Sequence, residues 1–471
     1  MVIVPGVARF ALTPGYHLSS LRDDLFLIPM TFDDALTYIL SLGHETLTIK
    51  LGLANTERLL AALGNPHNSF PAVQIAGTNG KGSTAVMLES ICHAARIRAG
   101  LFTSPHLISI TERIRIDGEE ISKAEFARLT EQVRHTAEDL VRQGELQTLP
   151  TFFEHVTAIA LLAFREAEVE LAILETGLGG RLDSTTAAGA HVVAITPVAM
   201  DHEEYLGSTL AEIAAEKAAI IRPGVTAIVA PQDEEALAVI RQRSETVGVK
   251  PRFVETRPAA DATSHDSVPG RMCATFETRN DRYENVCLGL RGRHQVPNAA
   301  TAVVLAEALC DRGFDISRHA ILTGLQNAKH PGRLEMIDGN PPVLFDGAHN
   351  PAAAHALRDY LEEFVPQPIT MIFGAMRDKP LHEIAGILFP AAREVVLTEL
   401  DNPRGATVET LKAAVPSDFN QTNLHGAKSV AEALQMARQV TGADGLILIT
   451  GSLYLVGAAQ ESLFALNPSA H

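Results

Sequence analysis

Two series of alternating elements constrain this chain more than any other feature of its sequence. In the first half, the apolar runs AVQIA, AGLFTS (99–104), ELAILE (170–175) and HVVAIT (191–196) alternate with helix-period stretches at about 122–142, 152–165 and 209–221. A second series opens near residue 331, with VLFDGA, ITMIFGA, EVVLTE and GLILITG separated again by helical stretches. Strands that are apolar at successive positions are buried on both faces, so the sheet must be largely parallel and covered by helices on each side. The expected fold class is α/β, with two doubly wound domains.

At 471 residues the chain is too long for one ordinary domain. The expected division is residues 30–330 and 331–471, with the segment NAKHPGR, which contains Pro331 and Gly332, as the linker. Residues 251–290 break the rhythm and read as a loop-rich or short antiparallel insertion. A clean helix begins only at Met30, where Thr31 can cap and Phe32, Ala35, Leu36, Ile39 and Leu40 form a stripe. Residues 1–29 make a poor signal peptide, because their short apolar runs are broken by Pro5, Gly6, Pro14 and Gly15; they read as an extension or a start placed too early.

Composition closes off several classes. The net charge of −17 argues against a nucleic-acid partner held by phosphate neutralisation. No apolar run reaches the length of a membrane-spanning helix, so no membrane association is expected. Cys92, Cys273, Cys287 and Cys310 show no CxxC spacing and read as reduced thiols in a cytoplasmic protein, without disulfides or zinc.

The stretch GTNGKGST (77–84) sits between the run AVQIA and a helical pattern. It departs from the strict phosphate-loop spacing, since Ile75 stands where the first glycine would be and Gly82 separates Lys81 from Ser83. The physics survives. Gly77, Gly80 and Gly82 let backbone N–H groups converge on an anion at a helix N-terminus, and Lys81 adds a point charge. It reads as the nucleotide-phosphate loop of a P-loop-type ATPase domain or, less well, as a strand-to-helix turn with a solvated lysine, while the second α/β series reads as a Rossmann-like domain. A second glycine-rich turn, ETGLGGRLD (175–183), follows another strand and reads equally as a ligand loop or a tight turn. Asp201 and His202 end the strand HVVAIT, where they could hold magnesium beside the phosphates.

Lys217 falls on the stripe Leu210, Ile213, Ala214 and Ile221, a face that should be apolar. It is either a snorkelling lysine paired with Glu212 or Glu216, or a buried amine of depressed pKa that can take up carbon dioxide as a carbamate. Glu154, beside Phe152 and Phe153 at a helix start, reads as a cap or a metal ligand, with the cap favoured. Asn298 opens another helix, and Asp346, His349 and Asn350 end a strand next to the linker, where a cleft between domains would place them.

Taken in order, the motifs KLGL (50–53), AGTNGKGST, TSPHL (103–107), TFFE, LETGLGGRLD, MDH, AEKAAI, GRHQVPNAA, PGRLE, FDGAHNP and TGSLY (450–454) resemble the folylpolyglutamate synthase and dihydrofolate synthase family of the Mur ligases, from about residue 30 to the C-terminus. The resemblance implies an ATP-dependent amide ligase that joins L-glutamate to dihydropteroate or a reduced folate, acting as a monomer in the simplest case. It implies that Gly77, Thr78, Asn79, Gly80, Lys81, Gly82 and Ser83 hold ATP together with Asn298, Arg333 and Asp346. Ser104 and Glu154 would bind one Mg2+, and His202 with an N6-carboxylated Lys217 would belong to a second site. Lys81, Lys217, His202, Asp346 and His349 form the expected catalytic set, with His349 and Ser452 facing the glutamate. Three departures fall near these segments: Thr186 for a usual asparagine, Ala219 for a usual glycine, and extra residues in LGLANTERL. The competing readings are a Mur-type ligase acting on another carboxylate, such as a cell-wall precursor, and a non-enzymatic nucleotide-binding switch.

Overall fold

The computed structural model describes residues 29–43, 52–255, 262–264 and 268–466. The N-terminal extension, apart from Pro29, and Lys50 and Leu51 of KLGL lie outside the described residues. The first helix, Phe32–Ser41, starts as expected, with Thr31 and Asp34 closing a reciprocal capping box.

The chain folds into two α/β domains built on parallel-rich sheets. The first sheet contains β1 (Ala72–Ala76), β2 (Ala99–Phe102), β3 (Ile114–Ile116), β4 (Glu119–Glu120), β5 (Leu171–Glu175), β6 (Val192–Ile195), β7 (Thr226–Val229) and β8 (Arg252–Phe253), in the order β4-β3-β2-β5-β1-β6-β7-β8. From β2 to β8 every pairing is parallel, and only β3 and β4 run antiparallel at one edge. The central strand explains its own sequence. All five residues of β1 are buried, with Ala72 and Ala76 packing into the core on one face and Val73 and Ile75 into the core on the other. Helix Phe152–Glu166 is buried nearly all round, including Glu154 and His155, because it is covered in turn by the helices Phe32–Ser41 and Lys123–Arg142.

The irregular stretch after β8 is more regular than expected. It forms a three-stranded antiparallel sheet of β9 (Thr263–Ser264), β10 (Arg271–Glu277) and the ten-residue β11 (Arg282–Arg291), in the order β11-β10-β9. Its residues alternate in burial, a period-2 pattern that scattered polar residues disguised in the sequence. This sheet also corrects the expectation of reduced thiols throughout. Cys273 and Cys287 stand opposite each other in the β10–β11 register and form a disulfide, while Cys92 and Cys310 are free. Their separation of 14 residues has no meaning until a hairpin register makes them neighbours.

The second sheet, in the order β12-β13-β17-β14-β15-β16, contains β12 (Glu335–Ile337), β13 (Val343–Phe345), β14 (Ile369–Phe373), β15 (Glu394–Thr398), β16 (Leu424–Ala427) and β17 (Leu446–Thr450). All pairings are parallel except that of the edge strand β12. Separate apolar cores fill its two faces. The carboxyl ends of the two sheets meet: Asn350, just after β13, hydrogen-bonds to Asn79, just after β1. Among the described residues, no helix is long and apolar enough to cross a membrane.

Candidate functional site

Between the two sets of strand ends lies a cavity of about 350 Å³. Its walls include residues 77–83, Ser104, Asp201, His202, Lys217, Asn298, Arg333, Asp346 and His349, whereas Glu154, Asn350 and Ser452 do not line it. The glycine loop crosses from β1 to the helix Lys81–Ala94, whose first backbone bond runs from Thr84 N–H to Gly80 C=O. The amides before that bond lie in the orphan first turn of the helix, where an anion is favoured. The loop is tied to the next strand end, with the Thr78 and Asn79 amides donating to the Pro197 carbonyl at 3.0 and 3.1 Å. Lys81 Nζ is folded back on the Thr78 carbonyl at 3.2 Å.

Two glycines of the loop have identifiable steric causes. Gly80 has φ +84°, and a Cβ there would lie 2.2 Å from the Asn298 side-chain oxygen. The unusual Gly82, after the lysine, faces the hinge: a Cβ would meet His330 at 2.9 Å and Glu175 at 3.3 Å. His330, in the segment expected to be only a linker, also hydrogen-bonds through Nδ1 to Ser83 Oγ at 3.2 Å. Burial lowers the His330 pKa to about 3, with Arg333 adding to the effect, so the ring is neutral at physiological pH.

Lys217 does not snorkel. It is 4% exposed, and its Nζ donates to the Gly77 carbonyl at 2.8 Å. Glu216 pairs instead with Arg181 at 2.9 Å, and Glu212 caps its own helix. Burial, then the Lys81 ammonium, lowers the Lys217 pKa to about 7, against the pull of Asp201 and Asp183. Glu175, at the end of β5, accepts from the Ser104 amide at 3.2 Å. Burial raises its pKa even though Lys81, the Ser104 amide, Arg333 and Arg113 all favour the anion.

Asp201 turns out to belong to the domain junction. Lys379 Nζ donates to its Oδ1 at 2.6 Å, and Asn350 Nδ2 donates to its Oδ2 at 3.2 Å. His349 Nε2 stands 3.8 Å and His202 Nε2 4.0 Å from its carboxylate. Burial brings both imidazoles down to about 4, so at neutral pH the Lys379 ammonium is the neighbouring cation that balances Asp201. Burial alone would raise the Asp201 pKa, but in acid, where both imidazoles are protonated, His202, His349 and Lys379 together outweigh it and hold the carboxyl below the usual range. On the hinge side, Asp346 accepts from the Leu334 and Ala348 amides at 3.0 Å each, which fixes Arg333 at the cavity wall. Burial raises its pKa against the influence of Arg333.

A second cavity, about 200 Å³ and mostly apolar, adjoins the first and shares Pro105, Gly177, Leu178, His202, His349 and Leu453 with it. Glu154 lines this one, as does Ser452. The Glu154 carboxylate closes a capping box with Thr151 and accepts from Thr56 Oγ1 at 3.2 Å. The cap favoured from sequence is therefore made, at the wall of a cavity. The helix Ala54–Ala62, which carries the extra residues of LGLANTERL, brings Thr56 to that wall. The other departures are accommodated locally. Thr186 Oγ1 donates to the Gly180 carbonyl at 2.7 Å and accepts from Gln74, while Ala219 ends its helix at φ −62°, where glycine is not needed.

Sequence reasoning missed Glu175, His330 and Lys379 as site residues. Glu175 carried a signal, because it ends a buried strand before a glycine-rich turn. His330 and Lys379 carried none, since only the docking of the second domain brings them to the cavity.

Residues 75–306 match the Mur ligase middle domain and residues 332–453 the Mur ligase, glutamate ligase domain. The dihydrofolate synthase/folylpolyglutamate synthase of Bacillus subtilis is 35% identical over 424 residues, covering 89% of this chain and 97% of that protein. A probable bifunctional folylpolyglutamate synthase/dihydropteroate synthase of Haloferax volcanii is 36% identical over 92% of this chain, which spans 50% of that longer protein. The structure of Mycobacterium tuberculosis folylpolyglutamate synthase complexed with ADP and AMPPCP superposes with a TM-score of 0.83 at 32% identity, covering 91% of this chain and 98% of that one. By its two Mur ligase domains and its likeness over 89% of its length to the Bacillus subtilis enzyme, the chain belongs to the dihydrofolate synthase/folylpolyglutamate synthase family of the Mur ligases.

Proposed function

We propose that this chain is an ATP-dependent ligase that joins the amino group of L-glutamate to the carboxylate of dihydropteroate, a reduced folate, or both, as a cytoplasmic monomer. The observation that carries the reading is the sharing of walls between a cavity built on a glycine loop and a more apolar adjoining cavity. A carboxylate reaching from the second into the first would meet a γ-phosphate held at the loop.

A carboxylate is inert toward an amine at neutral pH, so its oxygen first takes the γ-phosphoryl group of ATP, giving an acyl phosphate and ADP. Residues 77–83 would cradle the phosphates, with Lys81 swinging from the Thr78 carbonyl onto them. Asn298, Arg333 and Asp346 would hold the rest of the nucleotide. The neutral glutamate amine then attacks the acyl carbon, the tetrahedral intermediate collapses, and phosphate leaves. His349, whose Nδ1 bonds to the Gly347 carbonyl at 2.8 Å, and Ser452 present polar groups from the second domain toward the incoming amino acid. The two domains together exclude water, which would otherwise hydrolyse the acyl phosphate.

Ser104 and Glu154 would hold one Mg2+, and His202 with an N6-carboxylated Lys217 the second. Among the described residues, no group of three or more His, Cys, Asp or Glu side chains could hold a metal by itself. Ions held there would have to share their ligands with phosphate oxygens, and Glu154, which lines the adjoining cavity, would have to exchange its bonds to Thr56 and Thr151 for the metal. When bound, magnesium would offset the charge repulsion between carboxylate and triphosphate. The Lys217 amine, brought to about 7 by burial, has the neutral population that addition to carbon dioxide requires, with release of one proton.

The test is whether phosphate release from ATP requires both glutamate and a pterin substrate, with 7,8-dihydropteroate compared against tetrahydrofolate. Release that depends on both, with an amide product, is expected. Release with neither would replace the ligase by a nucleotide-driven switch.

A further inference from the structure

We propose that Asn350 is a positioning residue through which docking of the second domain is registered at the nucleotide site, so that phosphoryl transfer is coupled to closure. The inference rests on the ligase reading above. Its basis is that one side-chain amide uses its oxygen within its own domain and both of its N–H groups across the junction. Asn350 Oδ1 caps the helix Pro351–Phe364 by accepting from the Ala353 amide at 2.9 Å. The two hydrogens of Nδ2 point across the cleft, one to Asn79 Oδ1 at 3.0 Å and the other to Asp201 Oδ2 at 3.2 Å.

These acceptors follow the central strand β1 and its neighbour β6, the two strand ends that flank the phosphate site. Asn79 lies within the glycine loop, and its own amide donates to the Pro197 carbonyl. Asp201 immediately precedes His202, whose backbone sits in the left-handed region at φ 54° and whose N–H bonds to Asp201 Oδ1 at 2.9 Å. A single side chain of the second domain thus sets the glycine loop and the His202 turn at once. Asn350 is 1% exposed and the side chains of Asp201 and Lys379 are 8% and 9% exposed, so these bonds are largely shielded from water and an unmatched partner there is costly. With the second domain undocked, Asn79 and Asp201 lose this common reference and the phosphate site is incomplete. ATP is then not committed before the amino-acid side of the cleft is in place.

The test uses the full chain carrying Asn350→Ser or Asn350→Asp. Both retain an oxygen that caps the helix, so thermal unfolding should move little. Serine is too short to reach the two acceptors, and aspartate sets a carboxylate against Asp201. The readout is ADP released per amide bond formed, with kcat and KM for glutamate and ATP. We expect ADP release and ligation to fall together, by about tenfold for serine and more for aspartate, with smaller changes in KM and the ratio kept at unity. A ratio above unity would mean that phosphoryl transfer proceeds without the Asn350 contacts, and that result would overturn the proposal. Hydrogen exchange of residues 77–83 with an ATP analogue bound gives a second measure: protection gained by the unsubstituted chain should be reduced in both variants, and equal protection would also overturn it. Failure of the unsubstituted chain to ligate would overturn the functional reading instead, and the exchange measurement would still decide the latch.

Discussion

The two adjoining cavities are built on opposite plans. The polar one is organised by backbone: a glycine loop at the end of the central strand, braced by neighbouring strand ends and closed by single side chains from the hinge and the second domain. The more apolar one is lined by segments far apart in sequence, from Gly52 to Tyr454, with the second glycine-rich turn at Gly177, Leu178 and Gly179 as one part of a wall made mostly of side chains. Backbone cradles tolerate little change, because their geometry is set by main-chain contacts. Side-chain walls can be retuned one residue at a time. Substitutions in the polar cavity should therefore damage turnover of every substrate, and substitutions in the apolar one should redistribute preference among substrates.

The largest effect expected is from Lys217→Ala, which should lower ligation on the order of a thousandfold while the thermal unfolding curve keeps its shape. With 13C-labelled bicarbonate, the unsubstituted chain should show a carbamate resonance that the variant lacks. Near-normal activity in the variant would remove Lys217 from the mechanism and weaken the contrast between the cavities.

An intermediate effect is expected from Gly82→Ala, because the added methyl must displace His330 or Glu175. Overpacking of this kind costs about 1–3 kcal/mol, and the KM for ATP should rise about tenfold with any folate. An unchanged KM would show that the hinge yields freely and that the glycine after Lys81 has another cause.

The smallest effect is expected from Thr56→Val, which keeps the shape but removes the hydrogen bond to Glu154. The ratio of kcat/KM for dihydropteroate to that for tetrahydrofolate should shift by roughly threefold to tenfold, about the worth of one hydrogen bond, with the KM for ATP unchanged. A general loss of activity instead would mean that Thr56 supports the shared machinery, and the proposed division between cavities would need redrawing.

Most of the architecture was legible because continuous apolar strands and helical periodicity are local signals. The start of the helix at Phe32 and the glycine turn after β1 follow from residues within one or two turns of each other, whereas the burial of Lys217, which its helical stripe left open against snorkelling, was decided by packing. The β10–β11 hairpin was less legible, because only its partially buried period-2 pattern marks it, and its disulfide was not legible at all. Glu154 shows the intermediate case. Its capping role is local and was expected, whereas its place at a cavity wall depends on where helix Ala54–Ala62 packs.

The sequence by itself determined that this is an α/β chain with an anion-binding turn at the end of a buried strand, since glycine spacing and hydrophobic period act over short distances. Only the tertiary structure decided what the turn is aimed at. Docking of the second domain sets His330 against Gly82, Asn350 against Asn79 and Asp201, and Lys379 against Asp201. These are contacts between residues 149 to 271 positions apart wherever the hydrogen bonds record their separation. No local preference encodes such pairings, because they exist only where two independently formed sheets present their strand ends to one another.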